Sequence, residues 1–192
     1  MEINQSNREN IKVFHCNDVQ RCEKFLKEDD YLIRSEENGI WLGSGMYFWD
    51  NLSNAKYWKR EKKRKTHNRK SFSIVSAKIY IDDLLDLTDE ETCRTIEMLW
   101  ENYCRKMKRK YDVYKNVDLG EKLNTLFSSE MVKEHLSTYS VVKIIGKYPR
   151  VPPTSLYSYD VHSNKIEPTL SAKCIYTVKN ANYIFDKKLV EE

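Results

Sequence analysis

Alternation between apolar and polar positions divides the chain into short extended runs and longer helical ones. Ile11 to His15 is short, apolar and partly β-branched, which predicts a strand with His15 at its end. Asp18 is placed to cap a helix over Val19 to Lys27, with Cys22, Phe25 and Leu26 on its inner side. Met46 to Trp49 reads as extended, and Ser53 to about Lys65 as helical. Ser71 to Ile81 alternates as a strand should, and Leu84 to Leu87 is a short apolar stretch ending at the capping pair Thr88-Asp89.

The clearest helix runs from about Glu90 to Lys110, where Ile96, Leu99, Trp100, Tyr103 and Met107 recur at three- and four-residue steps. Shorter helices are predicted over about Asp118 to Phe127 and Ser129 to Leu136. Val141 to Ile145 and Ala172 to Val178 read as strands, the second as the terminal strand near the middle of a sheet. A helical segment, about residues 89–137, thus separates two strand-rich halves. This order predicts an α+β fold in a single domain over 1–192.

Composition narrows the class. Of the 192 residues, 40% are hydrophobic and 32% charged, the balance of a globular chain that can bury a core. No apolar run approaches the roughly 20 residues that span a bilayer, and Met1 to Asn10 has no apolar stretch of a secretory leader. A cytoplasmic protein without a membrane partner is expected. The five cysteines are odd in number, widely spaced and without a Cys-x-x-Cys pair, so free thiols, mostly in the core, are expected. The four histidines have no metal-ligand spacing, and no metal is expected.

The net charge of +4 is unevenly spread. Lys59 to Lys70 holds eight basic residues and one acidic one. A block like this repels itself, which predicts a loop or frayed helix end. Its field attracts phosphate, so Lys59, Arg60, Lys62, Lys63, Arg64 and Lys65 are candidate nucleic-acid contacts. The alternative is a solvated loop.

Gly-x-Gly-x-x-Gly, phosphate-loop and Gly-x-Ser-x-Gly motifs are missing. One dense constellation remains: His15, then Trp41-Leu42-Gly43-Ser44-Gly45-Met46-Tyr47-Phe48-Trp49-Asp50, then Asn54-Ala55-Lys56-Tyr57. Gly43 and Gly45 allow a backbone to approach a flat ligand where a Cβ would clash. Tyr47 offers an aromatic face for a heteroaromatic ring, and His15 can donate an N–H to a sugar hydroxyl while its second nitrogen fixes the tautomer. Together they suit a nucleoside. The competing reading makes the same aromatics core filling beside a glycine turn.

The segment Gly43 to Tyr57, with His15 before it, resembles the signature of the diphtheria-toxin and poly(ADP-ribose) polymerase branch of ADP-ribosyltransferases. It is more closely similar to small bacterial proteins of toxin and phage-defence loci. These share the stretch matched by Trp41 to Asp50, the Leu-Asp-Leu-Thr-Asp matched by Leu85 to Asp89, and the Val-basic-Asn matched by Val178-Lys179-Asn180. The resemblance implies a split antiparallel β-sandwich with a helical insertion and NAD in the cleft between the sheets. By this likeness His15 binds the nicotinamide-side ribose, and the backbone at Cys16 binds the carboxamide. Tyr47, with Phe48 beside it, stacks on the nicotinamide. Tyr57 covers its other face, and Asn54 or Ser53 holds the carboxamide.

The chain departs from the pattern at three places. Cys16 stands where the family has Gly, and Asn54 where the polymerases have Ser. The last strand lacks the usual Glu or Gln. Alignment puts Ile175 at that third position, and nearby registers offer Ser171 or Lys173 as catalytic candidates, with Glu167 and Asp50 as carboxylates close by. The implied activity is transfer of a single ADP-ribose from NAD, used as substrate, to a macromolecule. The implied setting is that of a toxin or anti-phage effector, with an antitoxin partner.

The basic run favours single-stranded nucleic acid as target, with Tyr111, Tyr114, Tyr157 and Tyr159 available to stack on bases. A protein target is the alternative, and an inactive NAD- or nucleic-acid-binding module is another.

Overall fold

The computed structural model describes residues 8–35, 41–67, 69–108, 116–148 and 169–191. Seven strands form one sheet in the order β4-β5-β6-β2-β1-β3-β7. They are β1 (Asn10–Asp18), β2 (Met46–Trp49), β3 (Phe72–Tyr80), β4 (Leu84–Asp86), β5 (Val141–Lys147), β6 (Ala172–Val178) and β7 (Ile184–Leu189). Every pairing is antiparallel except β4 with β5.

Among the described residues five α-helices accompany the sheet: α1 (Val19–Lys27), α2 (Leu52–Lys65), α3 (Glu90–Lys106), α4 (Leu119–Ser128) and α5 (Lys133–Leu136). The expected α+β class and the helical segment between β4 and β5 are both present.

The pleat sends alternate side chains of the central strand to two cores. Met46 and Phe48 of β2 join Val13, Phe25, Val75 and Val178 on one face. Trp49 joins Ala55, Trp100, Leu123 and Ile175 on the other, with Tyr47 packed at its margin. Helix α1 supplies Cys22 and Phe25 to the first core, and α2 to α5 cover the second. Cys16, Cys22 and Cys104 are buried, Cys93 is exposed, and none of the five cysteines is in a disulfide. Among the described residues no helix is long and apolar enough to cross a membrane.

The caps are local. Asp18 accepts the Arg21 N–H at 3.0 Å and Asp89 the Thr92 N–H at 2.8 Å, each satisfying one orphan donor of a first turn. Asn51 caps α2 through the Asn54 N–H at 2.9 Å, so the helix begins at Leu52, one residue earlier than the pattern predicts.

Three boundaries differ from the sequence reading. Strand β1 continues past His15 to Asp18 because β3 pairs with it as far as Phe72. His15 therefore lies within the strand, not at its end. Helix α3 ends at Lys106, short of Lys110. The basic run is helical through Lys65, as the helix predicted to about that residue requires, and its four closing cations suit the negative end of the helix dipole. Ala172 to Val178 is not terminal: β7 follows and pairs with β3 at the sheet edge. Only its first two residues continue an apolar pattern, since edge strands carry charge against further pairing.

The sheet is nearly divided at its centre. Strands β1 and β3 share a nine-pair ladder, and β2 runs in register with β6 over its whole length, Met46 to Trp49. Between β1 and β2 a single pair is made, Phe14 with Trp49. Beyond that pair, where Cys16 would meet Tyr47, the ladder stops.

Candidate functional site

The imidazole of His15 spans the place where β1 and β2 part. Its Nδ1 lies 2.5 Å from the backbone oxygen of Tyr47. A carbonyl can only accept, so Nδ1 carries the proton. Nε2 is then an acceptor, with the Asn17 amide 3.3 Å away. This tautomer reverses one sequence expectation: the Nε2 side of His15 can accept a hydrogen bond but cannot donate one.

The ring is buried and meets Phe48 edge-on, with centroids 5.8 Å apart. Burial is the main cause that takes its pKa down to about 4, with the nearby cations Lys62 and Arg21 acting in the same direction. His15 is therefore neutral at pH 7.

A stability prediction follows from that burial. The unfolded chain takes a proton near pH 6.5 and the folded chain only near 4, so the unfolded state binds more protons between those values. Folding stability therefore falls as pH drops from about 6.5 to 4, by on the order of 3 kcal/mol in full. Melting temperatures of the native chain and His15→Asn across this window should diverge, the native falling faster. Parallel curves would contradict the buried neutral imidazole.

Tyr47 is fixed at its far end. Its hydroxyl donates to the Gly43 carbonyl at 2.8 Å and accepts the Leu42 N–H at 2.9 Å. The ring is thus clamped to the turn that precedes β2 and is half-buried at the edge of the second core. That turn is held from outside as well. Ser44 N–H donates to Asn124 Oδ1 of α4 at 2.6 Å, and Lys179 Nζ donates to the Ser44 carbonyl at 3.1 Å. Lys179, from the Val-Lys-Asn close of β6, is brought by burial to a pKa of about 8, and its amine lies over the Phe127 ring.

The glycines are required by this packing. A Cβ on Gly43, whose φ is +73°, would stand 2.5 Å from Asn124 Oδ1. One on Gly45 would stand 2.8 Å from the Val178 carbonyl oxygen. The close approach the sequence suggested is made by α4 and β6, so the space is already filled by protein.

A second cluster lies at the start of α2. Lys173 Nζ, on a buried residue, donates to Asn54 Oδ1 at 2.7 Å. The Asn54 amide in turn donates to Asp50 Oδ1 at 2.8 Å. The amine lies 5.2 Å from the centre of the Tyr57 ring and 5.7 Å from that of Tyr148. Burial holds its pKa below the usual lysine value. Ser53 is exposed and Asn54 buried, so Asn54 is the one built into the cluster. Tyr57 meets Tyr148 edge-on at 5.9 Å; among the described residues its ring contacts are with Tyr148 and Lys173, and not with Tyr47.

The third-position candidates separate. Ile175 pairs with Trp49 and belongs to the core. Ser171 is engaged locally with Thr169, 2.7 Å between hydroxyls. Lys173 points to Asn54. Directly across from Tyr47 stands Thr177, which sequence reasoning overlooked. It is fully buried, and among the described residues its Oγ1 makes no hydrogen bond, with the Tyr47 hydroxyl near enough to feel it. Only the β2–β6 register reveals it; a threonine on an alternating strand gives no signal by itself.

Arg60 and Lys63 of the basic run are exposed, with Lys56 exposed one turn before them on α2, and Arg64 pairs with Glu61 at 2.7 Å. Lys62 lies 5.8 Å from the Phe72 ring centre and Lys65 5.5 Å from that of Trp58. Glu167 and the tyrosines Tyr111, Tyr114, Tyr157 and Tyr159 lie outside the described residues. A cavity of about 470 Å³ is lined by residues of the helical segment and its surroundings, among them Leu87, Ile96, Trp100 and Leu119, and none of its lining residues belongs to the clusters above. The chain matches no protein-family model and no curated protein.

Proposed function

We propose that the chain transfers one ADP-ribose from NAD to a macromolecular acceptor, with nucleic acid as the favoured target. The observation that carries this reading is the junction of β1 and β2. A buried neutral histidine bridges two parting strands there, next to a tyrosine clamped at its hydroxyl. The His and Tyr of the resemblance come from segments 32 residues apart and meet through a hydrogen bond. The near-division of the sheet at the same point also suits a split sandwich with a cleft.

In this reading Tyr47 stacks on the nicotinamide ring, and His15 Nε2 accepts from a ribose hydroxyl, giving up Asn17. The Cys16 backbone and the Asn54 amide hold the carboxamide, with Asn54 oriented by Lys173 on one side and Asp50 on the other. The bond from C1′ of the ribose to the nicotinamide nitrogen breaks. Its electron pair leaves with nicotinamide, and an acceptor nucleophile bonds to C1′ and loses its proton. Fixed acceptors near C1′ stabilise the oxocarbenium-like transition state.

A second reading has its own observation. Thr177 and Ile175 occupy the strand opposite Tyr47 and Trp49, and neither carries the carboxylate an efficient transferase uses. That composition favours a module that binds NAD without turnover.

Incubation with labelled NAD and cell extract, then separate nuclease and protease digestion, tests both. Label lost to nuclease and absent with His15→Ala is the expected result. Label lost to protease moves the target to protein, and bound NAD without label favours the binding module.

A further inference from the structure

The nucleic-acid reading of the target leaves open what holds the strand. Trp41 answers to the need. It is 42% exposed. Its indole lies on the bare backbone of Gly146 in β5, where a Cβ would stand 2.2 Å from Trp41 Cζ3. It also meets Tyr148, centroids 5.6 Å apart. Tyr148 continues to Trp49 at 5.8 Å and to Tyr57 at 5.9 Å. An indole seated against backbone and a second ring is held in one orientation, so little side-chain freedom is lost when a base stacks on it.

The same row of rings ends at a line of cations. One turn after Tyr57 on α2 comes Arg60, near enough to Lys173 to act on its charge. Lys56, Arg60 and Lys63 are exposed, and the helix carries a single carboxylate, Glu61, which Arg64 takes. A flat exposed aromatic linked through Tyr148 and Tyr57 to a helix with exposed cations fits a ligand with π-faces and phosphates alternating along its length. A duplex buries its base faces in its own stack, so the ligand is single-stranded.

We infer that Trp41, seated on Gly146 and continued by Tyr148, is a base-stacking platform for single-stranded nucleic acid whose phosphates run along Lys56, Arg60 and Lys63. This inference rests on the proposed target class but not on NAD turnover.

Fluorescence anisotropy of a short labelled oligothymidylate or oligouridylate, with the full chain and no NAD, tests it. Trp41→Ala should weaken binding by about 5- to 100-fold, the range for one stacked base. Trp41→Phe should keep most of the affinity. Gly146→Ala displaces the indole without touching its chemistry and should mimic Trp41→Ala in a chain that still melts cooperatively. Gln at Lys56, Arg60 and Lys63 should flatten the salt dependence.

No single-strand binding at low salt, binding indifferent to Trp41→Ala, or equal binding of duplex would each overturn the platform. Strand binding with no transfer from NAD would uphold the platform and sink the transferase reading. Transfer to nucleic acid undiminished in Trp41→Ala would do the reverse.

Discussion

Tyr47→Ala is expected to abolish nicotinamide release from NAD, while Tyr47→Phe retains a measurable fraction. The two variants divide the roles of the side chain. Alanine removes the aromatic face on which the proposed function stacks the nicotinamide, and stacking alone is worth about 0.5–1.5 kcal/mol. It also lets the remaining substrate shift, and a misplacement near 1 Å costs on the order of 100-fold in rate. Phenylalanine keeps the ring and loses only the hydroxyl. That hydroxyl satisfies the Leu42 N–H and reaches the Gly43 carbonyl. Its loss leaves an orphaned donor, which costs about 1–3 kcal/mol of folding stability. Phenylalanine should therefore appear mainly as a lower melting temperature, and alanine mainly as lost activity at a temperature where the chain is folded. Equal activity of folded Tyr47→Ala and native chains would remove Tyr47 from the site.

The largest effect on folding is expected at Gly45. Its φ of +155° is a backbone state that L side chains rarely adopt. A Cβ there would also press on Thr177 Cγ2 at 2.5 Å and on the Val178 carbonyl oxygen at 2.8 Å. A methyl rotor can move, but the backbone of β6 is fixed by ladders to β2 and β5. Backbone strain alone is on the order of 1–3 kcal/mol, and overpacking adds a similar amount. Gly45→Ala should lose about 2–5 kcal/mol in denaturant titration. Loss below about 0.5 kcal/mol would mean that the turn rearranges freely and does not hold Tyr47.

The fold was legible where a segment's own pattern decides it. The amphipathic stripe of α3, the alternation of β3 and the caps Asp18 and Asp89 each follow from residues close in sequence. The misses in the sheet share a physical cause, since each depends on a distant partner. Strand β1 runs on to Asp18 because β3 lies beside it, and β7 exists because β3 offers an edge. Gly43 and Gly45 read as places of close backbone approach, and the partners that approach their Cβ side are α4 and β6.

The candidate site divides in the same way. His15 and Tyr47 were readable as chemistry-bearing residues. Their meeting through a side-chain-to-backbone bond was not, nor was the tautomer it sets. Thr177 could be found only from the register of β6 against β2. The Lys173–Asn54–Asp50 relay joins residues that lie 119 and 4 positions apart, and only the first of these separations is beyond local reading.

The most direct measurement is nicotinamide release from NAD by the native chain and by His15→Ala, both shown to be folded at the assay temperature, with and without single-stranded oligonucleotide. The account predicts release by the native chain that rises with the oligonucleotide and is lost in His15→Ala. Equal release by the two chains, or none from a native chain that has both NAD and acceptor, would contradict it.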